Sequence, residues 1–207
     1  MVVLRRRSHQ RQLDIDLVWA RTAHLVCVPQ VPSTDGRGGA ALVLKGELDP
    51  AAGDLNECRA SRKRDQIFSA AAHALNLMQP GDNAVEFGAG SGHLGLLIAS
   101  SRPDCTVTLV DIKEYTCEMA RERVARLGLI NCKVFCGSVD QYAAAGEEFH
   151  VAVGLHCCGL LTDSVLELAA QRHAAVCVVP CWLSPQPHAC LASSVLRVCT
   201  HAALPVP

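Results

Sequence analysis

Glu86 and Phe87 stand immediately ahead of a run of small residues, Gly88-Ala89-Gly90-Ser91-Gly92, and Asp111 closes the next apolar run. A turn from a strand into a helix leaves backbone N–H groups unpaired at the helix N-terminus, and glycines let a ligand approach them. Gly90, Gly92 and Gly95, together with Asp111, fit the spacing of a dinucleotide site. Glu86 separates the candidate ligands. A carboxylate at the strand end repels a pyrophosphate but favours the ammonium and sulfonium of S-adenosyl-L-methionine. Asp111 is placed to accept from ribose hydroxyls, with an acid at a helix N-terminus as the plainer alternative. Ser138 and Val139 follow the third strand, where they flank an adenine by position alone.

His156, Cys157 and Cys158 end the fourth apolar run. Methyl transfer from a cationic sulfur is an in-line displacement governed by orientation, and a base is needed only for a hydroxyl acceptor. His156 is the candidate base, and a packed strand end is the alternative. A thiolate beside the sulfonium would itself be methylated, so the neighbouring cysteines read as buried neutral thiols. Cys177, Cys181, His188 and Cys190 are zinc-ligand types without the two tight pairs of a structural site, so no metal is expected. Arg59, Arg62, Lys63 and Arg64 suit a phosphate backbone, although such a run is ordinarily a solvated helix face.

These groups need a scaffold of alternating strands and helices. From Arg62 onward, Ile67, Ala71, Ala74, Leu75 and Met78 recur at helical spacing, and Pro80-Gly81 supplies the stop. The strand NAVEFG, the glycine turn and the buried helix HLGLLIAS follow. Next come the strand TVTLVD and a helix with Thr116, Ala120, Val124 and Leu127 on one face, capped by Gly128. Strands CKVFCG and HVAVGLHCCG, the helix TDSVLELAAQR and the strand AAVCVV complete the pattern. Such alternation predicts a parallel sheet with helices on both faces. Residues 14–50 read as a loose hairpin, and the polar stretch DPAAGDLNECRAS reads as a linker.

With 50% hydrophobic and 19% charged residues, the chain has material for one core. A formal net charge of −1 argues against a generally basic surface, so RNA is neither required nor excluded. No apolar run approaches the roughly 20 residues of a membrane span. Arg5, Arg6, Arg7 and Arg11 form a basic start, either a solvated tail or an organelle-targeting segment. The 12 cysteines lie mostly in apolar runs, which suits a reducing, cytoplasmic setting.

EFGAGSGHLGLLIA, VTLVDIKEYTCEMARERVARLGL and GLHCCGLLTDSVLELA, with RKRDQIF ahead of them, resemble a class I S-adenosylmethionine-dependent methyltransferase domain. The likeness is strongest to the domain of glutathione S-transferase C-terminal domain-containing proteins. LHCCG with Thr162 and Asp163 is also similar to tRNA ribose 2′-O-methyltransferases that carry Cys/His zinc modules. The resemblance covers residues 59–182 and implies a Rossmann-like α/β fold. It implies cofactor contacts from Glu86, Gly88, Ala89, Gly90, Gly92, Asp111, Ile112, Ser138, Val139 and Leu155. His156, Cys158 and Asp163 then lie near the transferred methyl, and RNA is the first acceptor class to consider.

No zinc module precedes residue 60, and CWLSPQPHAC replaces the family's adjacent cysteines and aromatic glycine turn. The division expected is an extension over residues 1–59, a methyltransferase-like domain over 60–182 and an irregular tail over 183–207. The two strands that close the full sheet are not found. A truncated fold is therefore expected, with an uncovered edge at the strand ending in Val179, poor solubility or a protein partner on that edge. The other functional readings are a catalytically degenerate Rossmann-like interaction module and an NAD(P)-dependent oxidoreductase.

Overall fold

The computed structural model describes residues 46–50, 57–157, 160–180 and 196–198. After a 3₁₀ turn at Gly46–Leu48 come α1 (Glu57–Leu77), β1 (Asn83–Phe87), α2 (His93–Ser101), β2 (Thr106–Asp111) and α3 (Glu114–Leu127). β3 (Cys132–Cys136), α4 (Val139–Ala144), β4 (Val151–Cys157), α5 (Leu160–Gln171), β5 (Ala175–Pro180) and β6 (Leu196–Val198) follow. The sheet runs β3-β2-β1-β4-β5-β6. The first five strands are parallel, and β6 is antiparallel to β5.

Alternate residues of the strands feed two cores. Ala84, Leu109 and Val153 face one core with Ile67 of α1 and Leu96 of α2. Val85, Phe87, Val110 and Ala152 face the other with Tyr142 of α4 and Val165 of α5. Here Tyr142 meets Phe87 and Phe135 edge-on, with ring centroids 5.6 and 5.3 Å apart. This aromatic packing fixes α4 against the sheet. Both faces of the central strands are covered, which is why they read as near-continuous apolar runs.

Four expectations change. α1 starts at Glu57 rather than at Arg62, so the end of the supposed linker is helical, and Glu57 pairs with Arg64 at 2.7 Å. The six residues of α4 are too few to show a period in sequence, and its Ser138–Gln141 capping box appears only in the structure. On α3 Ala120, Val124 and Leu127 do face the core, but the fully buried residues are Cys117, Ala120 and Arg123, so a charged side chain shares the inner face that the spacing gave to apolar ones. The edge of β5 is also not bare. β6 pairs with it at Val176, Cys177 and Val178, so the tail contains a strand and the pairing supplies ladder partners on that edge. The predicted hairpin lies outside the described residues except at 46–50, as do Cys158, Cys181, His188 and Cys190.

Asn131 joins these layers at the end of the sheet away from the glycine loop. Its Nδ2 lies 3.0, 3.1 and 2.9 Å from the carbonyl oxygens of Ala99, Arg102 and Cys105, which gather the end of α2 and the approach to β2. Asn131→Ala strands these acceptors and is expected to cost about 1–3 kcal/mol. Calorimetric melting checks it, since an unchanged midpoint would mean that the carbonyls are satisfied without the amide.

Candidate functional site

The loop from Gly88 to Gly92 leaves the end of β1 and crosses toward β2. Gly90 sits at φ 56°, in the left-handed region, and a Cβ added there would meet nothing within 4 Å. The loop surface is therefore open at Gly90, and any side chain would fill the approach. Its N–H donates to Asp111 Oδ2 at 2.7 Å. Asp111 Oδ1 accepts from Lys113 N at 2.9 Å and Thr116 Oγ1 at 3.1 Å. One carboxylate thus fixes the glycine loop and the start of α3 together, and its four lone-pair positions leave capacity for a further donor. Ala89 is half-buried, with its N–H on the Val110 carbonyl at 3.1 Å.

Glu86 lies beneath this loop rather than within it. It is 3% exposed, and its Oε2 accepts from Gly95 N at 2.7 Å. A Cβ at Gly95 would fall 2.2 Å from Leu109 Cδ2 and 2.7 Å from Glu86 Oε2. Gly95 is therefore required by helix-to-strand packing. Burial pushes the Glu86 carboxyl up to about 8, against the lowering effects of the Gly95 N–H and of Lys63 and Arg123.

The other predicted cofactor residues divide by exposure. Gly88 is exposed, and Gly92 is buried. Ile112 is 69% exposed and offers an apolar surface next to Asp111. Val139 and Leu155 are buried in opposite cores. Ser138 spends its hydroxyl on the Gln141 N–H at 3.1 Å and its own N–H on Gln141 Oε1 at 2.8 Å.

At the end of β4 the register with β5 shifts between Leu155 and Cys157, and His156 takes φ 63°. A bulge re-aims the residue it contains. Leu155 and Cys157 both stay buried while the imidazole between them is exposed. A non-glycine residue held left-handed is strained backbone of a kind that clusters at functional sites. Burial, and then the charge of Lys63, keep the His156 pKa below its ordinary value, so the ring is neutral at pH 7. Cys157 Sγ donates to the Phe87 carbonyl at 3.4 Å and is a packed thiol. Asp163 lies in the first turn of α5, half-exposed.

The sequence spacing missed a charged knot beside the loop. Arg123 of α3 donates to the Ser91 carbonyl at 2.7 Å, to the Glu47 carbonyl and to His93 Nδ1 at 2.9 Å. A guanidinium can only donate, so Nδ1 accepts and the His93 proton sits on Nε2. The Leu48 carbonyl, 3.5 Å from the same Nδ1, is then a contact and not a hydrogen bond. Burial, with the charges of Arg123 and Lys63, pushes His93 down to about 4. The signal available in sequence was a single arginine interrupting the inner face of α3.

A methyltransferase-domain family model matches residues 62–183, and the chain belongs to that family. The glutathione S-transferase C-terminal domain-containing protein of Xenopus laevis is 35% identical over 138 residues, covering 67% of this chain and 22% of the relative. The Drosophila melanogaster homolog is 30% identical over 190 residues, covering 89% of this chain and 32% of the relative. The chain thus spans between a fifth and a third of these relatives. Ribosomal RNA small subunit methyltransferase G of Mycolicibacterium smegmatis is 42% identical over 74 residues, 33% of this chain and 31% of that protein. Among solved structures, a Streptococcus mutans protein described as a putative methyltransferase in complex with SAH aligns with TM-score 0.48 and 12% identity. That alignment covers 55% of this chain and 71% of the other.

Glu86 provides a stability test. An acid whose pKa is raised by folding, here from 4.5 to about 8, binds its proton more tightly in the native state. Its contribution is intact below pH 4.5 and is lost as pH rises through 8. Glu86→Gln removes that loss. Relative to the parent, the variant should gain on the order of 3 kcal/mol between the two ends of this range, measured by urea unfolding. Parallel pH profiles for the two proteins would contradict the buried, protonated carboxyl.

Proposed function

We propose that this chain binds S-adenosyl-L-methionine across the glycine loop and transfers its methyl group to an acceptor hydroxyl, with RNA as the acceptor class. The observation that carries the cofactor assignment is the open, left-handed Gly90 whose N–H is tied to Asp111 at 2.7 Å. The residues fit that group. Asp111 retains acceptor capacity for a ribose hydroxyl, Ile112 offers an apolar face to an adenine, and Glu86, buried with the Gly95 N–H on it, fixes the start of α2 behind the loop and does not face the ligand. When bound, S-adenosyl-L-methionine supplies an electrophilic methyl on a cationic sulfur.

The chain's own residues do the rest. The loop and Asp111 fix the position of the cofactor, which is where most of the rate of an in-line displacement originates. His156, neutral and exposed at the bulge of β4, accepts the hydroxyl proton as the oxygen takes the methyl, and later releases it to solvent. Asp163, in the first turn of α5, is the second acceptor-side group. Membership of the methyltransferase-domain family supports the transfer. Support for RNA comes from the likeness of LHCCG to tRNA ribose enzymes and from the mycobacterial relative named for ribosomal RNA.

Calorimetric titration with S-adenosylhomocysteine and, separately, NADH tests the site. Micromolar binding of S-adenosylhomocysteine alone is expected. Gly90→Arg should abolish it, and Asp111→Ala should weaken it about 10- to 100-fold. A folded protein that binds neither ligand would overturn the cofactor assignment.

The role of His156 is read separately, by transfer of labelled methyl to small RNAs. His156→Gln should lower kcat about 100-fold or more while leaving S-adenosylhomocysteine affinity unchanged. Unaltered turnover would remove the imidazole from the chemistry.

A further inference from the structure

β4 carries one residue more than its neighbour β5 can pair. Val151 to Leu155 face Ala175 to Val179 one for one, and the next pair is Cys157 with Pro180, so His156 has no residue opposite it. Strict alternation would put Cys157 on the face of Val151, Val153 and Leu155. It lies instead in the opposite core, with Ala152, Val165 and Val178. Cys157 has therefore taken the inward place that alternation gives to residue 156, and the imidazole is turned out at φ 63°.

Three contacts keep this arrangement. Gly154 leaves a notch for the thiol, since a Cβ at that residue would fall 2.3 Å from Cys157 Sγ. The sulfur seated there donates to the Phe87 carbonyl at 3.4 Å. From the other side Thr162 Oγ1, in the first turn of α5, donates to the Cys157 carbonyl at 2.7 Å. Phe87 directly precedes the glycine loop, and Leu161, beside Thr162, has its Cδ2 3.0 Å from where a Cβ on Gly88 would stand. The bulge is thus fastened both to the strand that opens the loop and to the helix that leans on it. A left-handed residue with a Cβ is unfavourable and persists only where its surroundings over-determine it.

We propose that Gly154, Cys157 and Thr162 form a lock that holds His156 left-handed and presents its ring at the end of β4 beside the glycine loop. Cys157 is then a positioning residue for the proton acceptor. This rests on the reading of His156 above and adds what fixes that base relative to the methyl donor. The thiol stays a neutral S–H donor, and no covalent step is involved.

The lock is read first from stability. Glycine adopts the left-handed conformation freely and alanine does not, so His156→Gly is expected to melt about 2–8 °C above His156→Ala. In a Cys157→Ala background the chain is released, and that gap should fall to less than half. With Cys157→Ser, whose hydroxyl can enter the notch and reach the Phe87 carbonyl, the gap should return. Equal melting of the glycine and alanine variants would overturn the proposal, because residue 156 would then not be held left-handed. A gap that Cys157→Ala leaves unchanged would overturn it as well. The first comparison is made in the parent background, so it does not need Cys157→Ala to fold.

The positioning role is read by transfer of labelled methyl to small RNAs. Cys157→Ala should lower kcat about tenfold or more with S-adenosylhomocysteine affinity unchanged, and Cys157→Ser should restore it. In a His156→Gln background the same substitution should have no further effect, as expected of two residues that act as one unit. An equal loss in that background, or a parallel loss of S-adenosylhomocysteine affinity, would make the thiol a general support and refute the role. Unaltered turnover in His156→Gln alone would remove the base reading on which the role rests, whereas the melting gap decides the lock by itself.

Discussion

The hydrogen bond from Gly95 N to Glu86 Oε2 sets the geometry of this domain. A carboxyl group at the end of the central strand is taken out of water and given one N–H from the first turn of α2. That contact draws the helix onto the sheet until only hydrogen fits at residue 95, between Leu109 and the carboxyl. The glycine loop is what remains between a strand and a helix held so closely. Its direction is then fixed from the other side by Asp111, which takes the Gly90 N–H and the start of α3 at once. The two acids thus act at different levels, one under the loop and one at its edge.

Much of this scaffold was legible because the central strands are covered on both faces and their apolar runs end in turn residues. NAVEF, TVTLVD and CKVFC were readable as strands for that reason, and Gly128 as a cap because it follows a long periodic helix. Glu86 and Asp111 were visible from type and position. Arg123 was not, since it occupies an inward helical position that the pattern assigns to apolar side chains. Its meaning depends on partners 30 or more residues away, Ser91 and His93. β6 was missed because three residues are too few to carry a period. The bulge at His156 is a matter of register with β5, which no single strand encodes.

The polar groups near the loop form a graded series. Glu86 is held toward its neutral acid form by burial, and His93 and His156 are held toward neutral imidazole. Arg123 keeps its charge because its donors meet the Ser91 and Glu47 carbonyls and the His93 ring. The surroundings of the loop therefore combine neutral groups that can change protonation with a fixed cation that cannot. Of the three groups held toward neutrality, His156 is the exposed one and Glu86 is buried.

The 3₁₀ turn at Gly46–Leu48 has a consequence for where the cooperative folding unit begins. Leu48 is buried, Asp49 is clamped by Arg64, and Glu47 offers its carbonyl to Arg123 and its carboxylate to Arg126 at 3.1 Å. A fragment cut at residue 60, where the regular alternation starts, would leave the guanidinium of Arg123 short of one acceptor and open the apolar seat of Leu48. Leaving one donor of a buried group unmet costs about 1–3 kcal/mol, a sizeable share of the margin by which a domain of this size stays folded. The turn at Gly46–Leu48 is thus a structural support of the glycine loop, although it is separated from it by about 40 residues of chain.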